Sequence, residues 1–150
     1  MSARVVVEAR GWIGTPYLHG ASVQGAGCDC LGLLRGVWRV VEGAEPVVVP
    51  RYSADWDEPQ RREVLRAAAQ AHLIEVAPDA AKPGDVILFR MRAGAVAKHL
   101  GIQSEVGPTP RFVHAYAGHG VVENALSGPW ARRIVARFRF PSVTALGGMI

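Results

Sequence analysis

Residues 27–43 read GCDCLGLLRGVWRVVEG, and this stretch decides the fold. After Cys30, the residues Leu33, Leu34, Val37, Trp38 and Val41 recur at the period of a helix, and Gly43 and Pro46 stop it. So much apolar surface on one segment predicts a central buried helix that begins at the cysteines. Upstream, residues 17–27 (YLHGASVQGAG) are rich in Gly and polar side chains and read as a surface loop. A first helix is expected over residues 3–13, with Ser2 as N-cap and the valine run as its buried face; Gly14, Pro16 and Gly20 end it. Downstream, residues 57–72 (DEPQRREVLRAAAQAH) fit an external helix capped by Asp57, with Pro59 near the first turn and Val64, Leu65 and Ala68 as its apolar stripe. Strand signals dominate from there. Residues 74–76, 85–91, 100–103, 112–116, 121–124 and 134–140 are short, β-rich and mostly separated by Gly or Pro. Helices first and strands later predict an α+β fold with a mostly antiparallel sheet.

The 150 residues suit one domain, 1–150, and the 49% hydrophobic and 20% charged content suits a packed core. Neither a repeat nor a linker interrupts it. The net charge of +4 favours acidic partners and is silent on fold. No apolar run approaches the roughly 18 residues that a membrane span needs. The opening residues MSARVVVEARGW carry Glu8 and Arg10 where a secretory signal needs an unbroken apolar stretch, so synthesis and folding in the cytoplasm are expected. The two cysteines, Cys28 and Cys30, have one residue between them. A disulfide there would close a very small ring, and Cys-x-Cys lacks the spacing of a structural zinc site. The remaining reading is chemical.

Cys30 stands where a loop enters a helix. The free N–H groups and positive dipole end of a helix stabilise a thiolate, and the same N–H groups can hold a developing oxyanion. The plain alternative is that both cysteines are small core residues. Gly27 and Gly32 around them permit close approach of a ligand or another backbone, and Asp29 sets a charge beside the thiol. A nucleophilic thiol needs a base, and the base needs an orienting group. His99 opens the apolar run KHLGIQ and His114 lies within RFVHAYAG. At a period of two, His99 shares a face with Gly101 and Gln103, and His114 with Phe112 and Tyr116. Two such strands could set the imidazoles side by side, but pairing register is not written in local sequence. His19, His72 and His119 read as solvated residues, with His19 bordering the cleft. Arg132, Arg133, Arg137 and Arg139 read as an exposed strand face or, more sharply, as a docking surface for an acidic partner.

Together these segments resemble the NlpC-type cell-wall peptidases, papain-like cysteine hydrolases that combine helices with one sheet. WIGTPYLHGASVQGAGCDCLGL is similar to the family's tyrosine, glycine-rich loop and nucleophile turn; KPGDVILF to its Pro-Gly-Asp strand; KHLGI to its base strand; and FVHAYAGHGVVE to its His-Ala strand. The resemblance implies Cys30 as nucleophile, His99 as general base and acid, and His114 as the group that orients the imidazole. Tyr17 corresponds to a tyrosine lining the site, and Asp29 to an acidic residue that can meet a substrate amine. One departure stands out: Leu31 occupies a position where the family commonly has Ser, which weakens the carry-over of amine recognition. The implied reaction is cleavage of peptidoglycan stem peptides through an acyl-enzyme, at a γ-D-glutamyl-diaminopimelate bond, without a cofactor or metal. The Asp-Cys-Leu-Gly turn and the segment VVENALSGPWARRIVARFRFP are similar to the branch carried by phage tails and gene transfer agents. That implies tail or baseplate proteins as partners, no nucleic acid, assembly in the cytoplasm onto a phage-like particle, and action at the wall of the target cell. Two rivals remain from other classes: a non-catalytic baseplate module that keeps the fold, and a metal site built from Cys28, Cys30 and nearby histidines.

Overall fold

The computed structural model describes residues 2–48 and 63–143. The central helix, α2 (Cys30–Val41), begins at the second cysteine. Ahead of it lie α1 (Ser2–Arg10) and a minimal hairpin, β1 (Ser22–Val23) and β2 (Gly27–Cys28). After it come α3 (Val64–His72), β3 (Ile74–Val76), β4 (Val86–Arg90), β5 (Ala97–Glu105), β6 (Arg111–Tyr116), β7 (Gly120–Ala125), the single turn α4 (Gly128–Ala131) and β8 (Ile134–Arg139). Strands β3 to β8 form one sheet in the order β3-β8-β4-β5-β6-β7, with each neighbouring pair antiparallel. The expected α+β class and the six expected strands are present.

Strand alternation gives the sheet two unlike faces. Val86, Leu88, Leu100, Ile102, Val113, Ala115, Ala136 and Phe138 meet Val5 and Ala9 of α1 and Leu33 and Val37 of α2 in the main core. The opposite face carries Ile87, Phe89 and Phe112, covered by Leu126, Trp130 and Ile134. His99, His114, Gln103 and Arg137 share that second face, so it is where polar chemistry is buried.

Four expectations change in detail. α1 stops at Arg10 rather than residue 13, since a turn over residues 11–14 redirects the chain, and Ser2 lies inside the helix rather than capping it. The expected loop at 17–27 contains the β1–β2 hairpin, and Tyr17 makes a single bridge to Cys28. On α3 the buried residues are Leu65 and Ala69, four apart, while Val64 is 39% exposed; the apolar stripe is rotated by one residue from the predicted one. Asp57 and Pro59, expected at the start of that helix, lie outside the described residues.

The fourth change concerns the arginines. Arg137 is 3% exposed and is not part of a solvent-facing strand surface. Its Nη1 donates to Gln103 Oε1 at 2.7 Å and stands 3.6 Å from Asp85 Oδ2. Arg139 Nε donates to Asp85 Oδ1 at 2.8 Å, and the Lys82 amide donates to Asp85 Oδ2 at 2.9 Å. The carboxylate of the Pro-Gly-Asp turn therefore ties the start of β4 to β8 from the interior. A buried charge is tolerated because it is paired and hydrogen-bonded.

Candidate active site

The thiol is set in place by the residue before it. Asp29 caps α2: its Oδ1 accepts from the Gly32 amide at 2.7 Å, and its Oδ2 accepts from the Gly20 amide at 2.7 Å. One carboxylate thus joins the first turn of α2 to the 17–27 segment. Gly32 is required for that closeness, because a Cβ there would stand 1.9 Å from the Ala21 carbonyl oxygen. Asp29 is 2% exposed, and His19 Nδ1 lies 3.8 Å from its Oδ2. Its carboxylate is engaged with backbone amides, so the amine-binding role carried over from the resemblance competes with a capping role. Leu31 packs against the main core.

Cys30 and Cys28 are both free thiols. Cys28 is fully buried, whereas Cys30 lines a cleft with Tyr17, His19, Asp29, Lys98, His99 and Tyr116. The start of β5 passes the N-terminus of α2, and the Cys30 thiol donates to the Lys98 carbonyl at 3.7 Å. Tyr17 stands at the rim, 37% exposed. Desolvation of its buried part, with Cys30, Asp29 and Cys28 nearby adding in the same direction, pushes its phenol up to about 12, so it stays protonated.

The register left open by the sequence is now fixed. β5 pairs with β6 with Gln103 opposite Phe112, which sets His99 and His114 on one face and within reach of each other. His99 Nε2 lies 2.8 Å from His114 Nδ1, and His114 Nε2 lies 2.7 Å from Asn124 Oδ1. Gly101 makes room on that face: a Cβ there would come within 2.8 Å of the Phe112 ring. Trp130 lies against both imidazoles, with ring centroids 5.7 Å from His99 and 5.0 Å from His114. Arg133 sits over the Trp130 ring at 5.3 Å. His119, exposed, stacks on Tyr116 at 5.2 Å.

Burial decides the charge states here. It pulls His99 down to about 3, with His114 adding in the same direction. His114 is also lowered by burial, against the opposing effect of its bond to Asn124. Burial pushes the Cys30 thiol up to about 12, and Asp29 adds to it. The backbone N–H groups of Leu100 on β5 and of Leu31 and Cys30 at the helix N-terminus pull the other way, but they are outweighed. The expected net lowering of this thiol therefore does not hold in the resting site. At rest a neutral thiol and a neutral imidazole share the cleft.

The structure brings Cys30, His99, Tyr17 and Asp29 to one cleft, and attaches His114 to His99 from behind. Local sequence did not single out Asn124 or Trp130. Among the described residues, no group of three or more Cys, His, Asp or Glu side chains is arranged to hold a metal ion, and no helix is long and apolar enough to cross a membrane.

The model of the NlpC/P60 family matches residues 14–139. The chain belongs to the NlpC/P60 family. It is 31% identical over 141 residues to the gamma-DL-glutamyl hydrolase of Bacillus subtilis (strain 168), covering 93% of this chain and 30% of that protein. It is 29% identical over 119 residues to the probable endopeptidase NlpC of Escherichia coli (strain K12), covering 79% of this chain and 64% of that protein. The chain thus spans less than two thirds of either relative. Among solved structures, the NlpC/p60 domain of the peptidoglycan hydrolase SagA superposes with a TM-score of 0.64 at 23% identity, covering 93% of this chain and 99% of that one. A lipoprotein-like member of the family from Staphylococcus aureus gives 0.59 at 25% identity, covering 92% and 41%. The papain-like α+β fold is that of the NlpC/P60 family.

Proposed function

We propose that this NlpC/P60 chain is a cysteine endopeptidase of peptidoglycan stem peptides. The observation that carries the reading is one cleft holding a helix-terminal thiol and an imidazole whose far nitrogen is already bonded to a second histidine. Cys30 Sγ attacks the amide carbonyl as its proton passes to His99. The backbone N–H groups of Cys30 and Leu31, which already lie by the sulfur, are placed to receive the oxyanion. His99 then protonates the leaving amine as the C–N bond breaks, leaving a thioester on Cys30. Water, deprotonated by His99, attacks the thioester; the carboxylic acid leaves and the thiol regains its proton.

The names of the two relatives, a gamma-DL-glutamyl hydrolase and a probable endopeptidase, favour a γ-glutamyl bond, and the resemblance of the nucleophile and base segments to the family adds diaminopimelate on its leaving side. Mass spectrometry of purified muropeptides before and after incubation tests it. The expected result is loss of tetrapeptide species with matching dipeptide products, absent with Cys30→Ala. Unchanged muropeptides would favour a non-catalytic module that keeps the fold.

The finer placement, on the tail tip of a phage-like particle with tail or baseplate proteins as partners, is supported by the Asp-Cys-Leu-Gly turn and the 121–141 segment. Arg137 and Arg139 are tied to Asp85, so the docking candidate on that segment moves to exposed Arg132. Arg132→Glu should release the protein from purified particles while soluble stem peptides are still cleaved. Retention on the particle would remove Arg132 from the interface.

A further inference from the structure

We propose that Asn124 is a positioning residue that sets the direction of the proton chain ending at Cys30, an inference that rests on the cysteine-endopeptidase reading above. The chain runs from Asn124 Oδ1 to His114 Nε2, 2.7 Å apart, and from His114 Nδ1 to His99 Nε2, 2.8 Å apart. Each ring is buried, and each is held neutral, so each carries one proton on one of its two nitrogens. That leaves two arrangements of the same heavy atoms.

In the first, His114 carries its proton on Nε2 and accepts at Nδ1 from His99 Nε2–H. His99 Nδ1 is then a bare lone pair and can take the proton of the thiol. In the second, His114 carries its proton on Nδ1 and donates to His99 Nε2, which forces the His99 proton onto Nδ1. His99 then presents a donor to the cleft and cannot act as a base. The two histidines do not choose between these on their own, because either direction satisfies the bond between them. The choice is made by what stands at His114 Nε2. A carboxamide oxygen there can only accept, so it requires Nε2–H and selects the first arrangement.

The placement of Asn124 suits this role. It sits on β7 directly opposite Phe112 of β6, so it shares a face with that ring and with His114. It is half-buried, and it does not line the cleft, so its effect reaches the thiol through two rings. Trp130 packs against both imidazoles from the same side and limits their reorientation.

The test is long-range proton–nitrogen NMR of the imidazoles in the full chain at neutral pH, combined with stem-peptide kinetics. The native chain should show Nε2–H on both His99 and His114. Asn124→Leu, which removes the acceptor at similar volume, should give mixed or reversed tautomers, with kcat lowered about 10- to 100-fold and KM within about twofold, as for a lost orienting partner. Asn124→Asp can only accept, so it should keep Nε2–H on both rings and hold kcat within about threefold of the native value. Nδ1–H on His99 in the native chain, unchanged tautomers in a folded Asn124→Leu, or an Asn124→Asp as impaired as Leu would each overturn the proposal. Should Asn124→Leu fail to fold, the native spectrum and the Asp variant still decide. The tautomers are read without substrate, so a native chain that shows them but cleaves no stem peptide would sink the endopeptidase reading and not the chain's direction.

Discussion

Two buried polar assemblies share the second face of the sheet, and β5 contributes to both. Gln103 joins the cluster of Asp85, Arg137 and Arg139; four residues earlier, on the same face, His99 joins the chain of His114 and Asn124. The first is built from fixed charges of opposite sign. Asp85 holds two guanidinium groups and a backbone amide, so nothing in it gains by moving a proton. The second is built from neutral groups, and each of its two imidazoles can hold a proton at either ring nitrogen. Burial has opposite effects in the two: in one it makes a charge pair expensive to break, and in the other it keeps charge out of the resting rings. The contrast separates a polar cluster that holds the sheet together from one that can perform chemistry.

The largest effect expected is on the neutral chain. Cys30→Ala removes the proposed nucleophile, and His99→Ala the proposed proton acceptor; each should lower turnover by roughly three or more orders of magnitude while thermal unfolding moves little. His114→Ala should cost less, since it orients without transferring the proton to substrate. Stem-peptide kinetics beside circular dichroism melts checks all three, and a His99→Ala enzyme with near-native turnover would erase the distinction between the assemblies. The reverse pattern is expected at Asp85→Ala. It strands a buried guanidinium, Arg137, and should cost about 3 kcal/mol or more in urea unfolding, with turnover per folded molecule preserved. A loss of activity without loss of stability there would mean the charged cluster also serves the cleft.

How far the sequence foretold this contrast depends on the range of the forces involved. Helix α2, strand β3 with its bounds at 74–76, and the strand faces on which His99 and His114 each lie follow from local periodicity, and so were legible. Cys30, His99 and His114 were legible as reactive types in a pattern. Their meeting was not, because the β5–β6 register is a long-range pairing that no local signal encodes. Asn124 reads in sequence as an ordinary polar residue closing a strand, and becomes informative only when β7 sets it beside His114. Arg137 misled for the opposite reason: an arginine at alternating spacing signals a solvated face unless a carboxylate from a distant turn waits beneath it. The thiol was misjudged because a helix N-terminus is visible in sequence while the burial that outweighs it is not.

Acidification offers a subtler separation. His99 is held near 3 in the folded chain against an ordinary 6.5, and His114 is lowered as well. Between those values the unfolded chain binds protons that the folded chain refuses, so stability falls as pH drops through that window. The lowered carboxylates Glu45 and Glu123 act further down, below their ordinary 4.5. Between pH 6.5 and 5 the decline therefore belongs to the histidines. In His99→Gln, the fall in melting temperature across that interval should be shallower than in the native chain. Parallel curves would show that His99 is not the group being kept neutral.

The smallest effect, and the one that bears most directly on the resting state, is the alkylation of Cys30. Cys28 is fully enclosed, whereas Cys30 opens to the cleft, so iodoacetamide should label Cys30 in preference, as read by peptide mapping. The rate carries the further information. Alkylation consumes the thiolate, and the Cys30 thiol is pushed up to about 12 by burial and Asp29. Labelling should then be slow at pH 7 and climb about tenfold for each pH unit through the alkaline range, as the thiolate fraction does. A pre-formed thiolate–imidazolium pair would behave otherwise, giving a fast and nearly flat rate from weakly acid to neutral pH. The slope thus distinguishes an enzyme that stores the charge separation from one that creates it during attack. A flat profile would mean that the helix N–H groups and His99 together overcome burial, and the neutral description of this chain would have to give way to a charged one resembling its neighbour on the sheet.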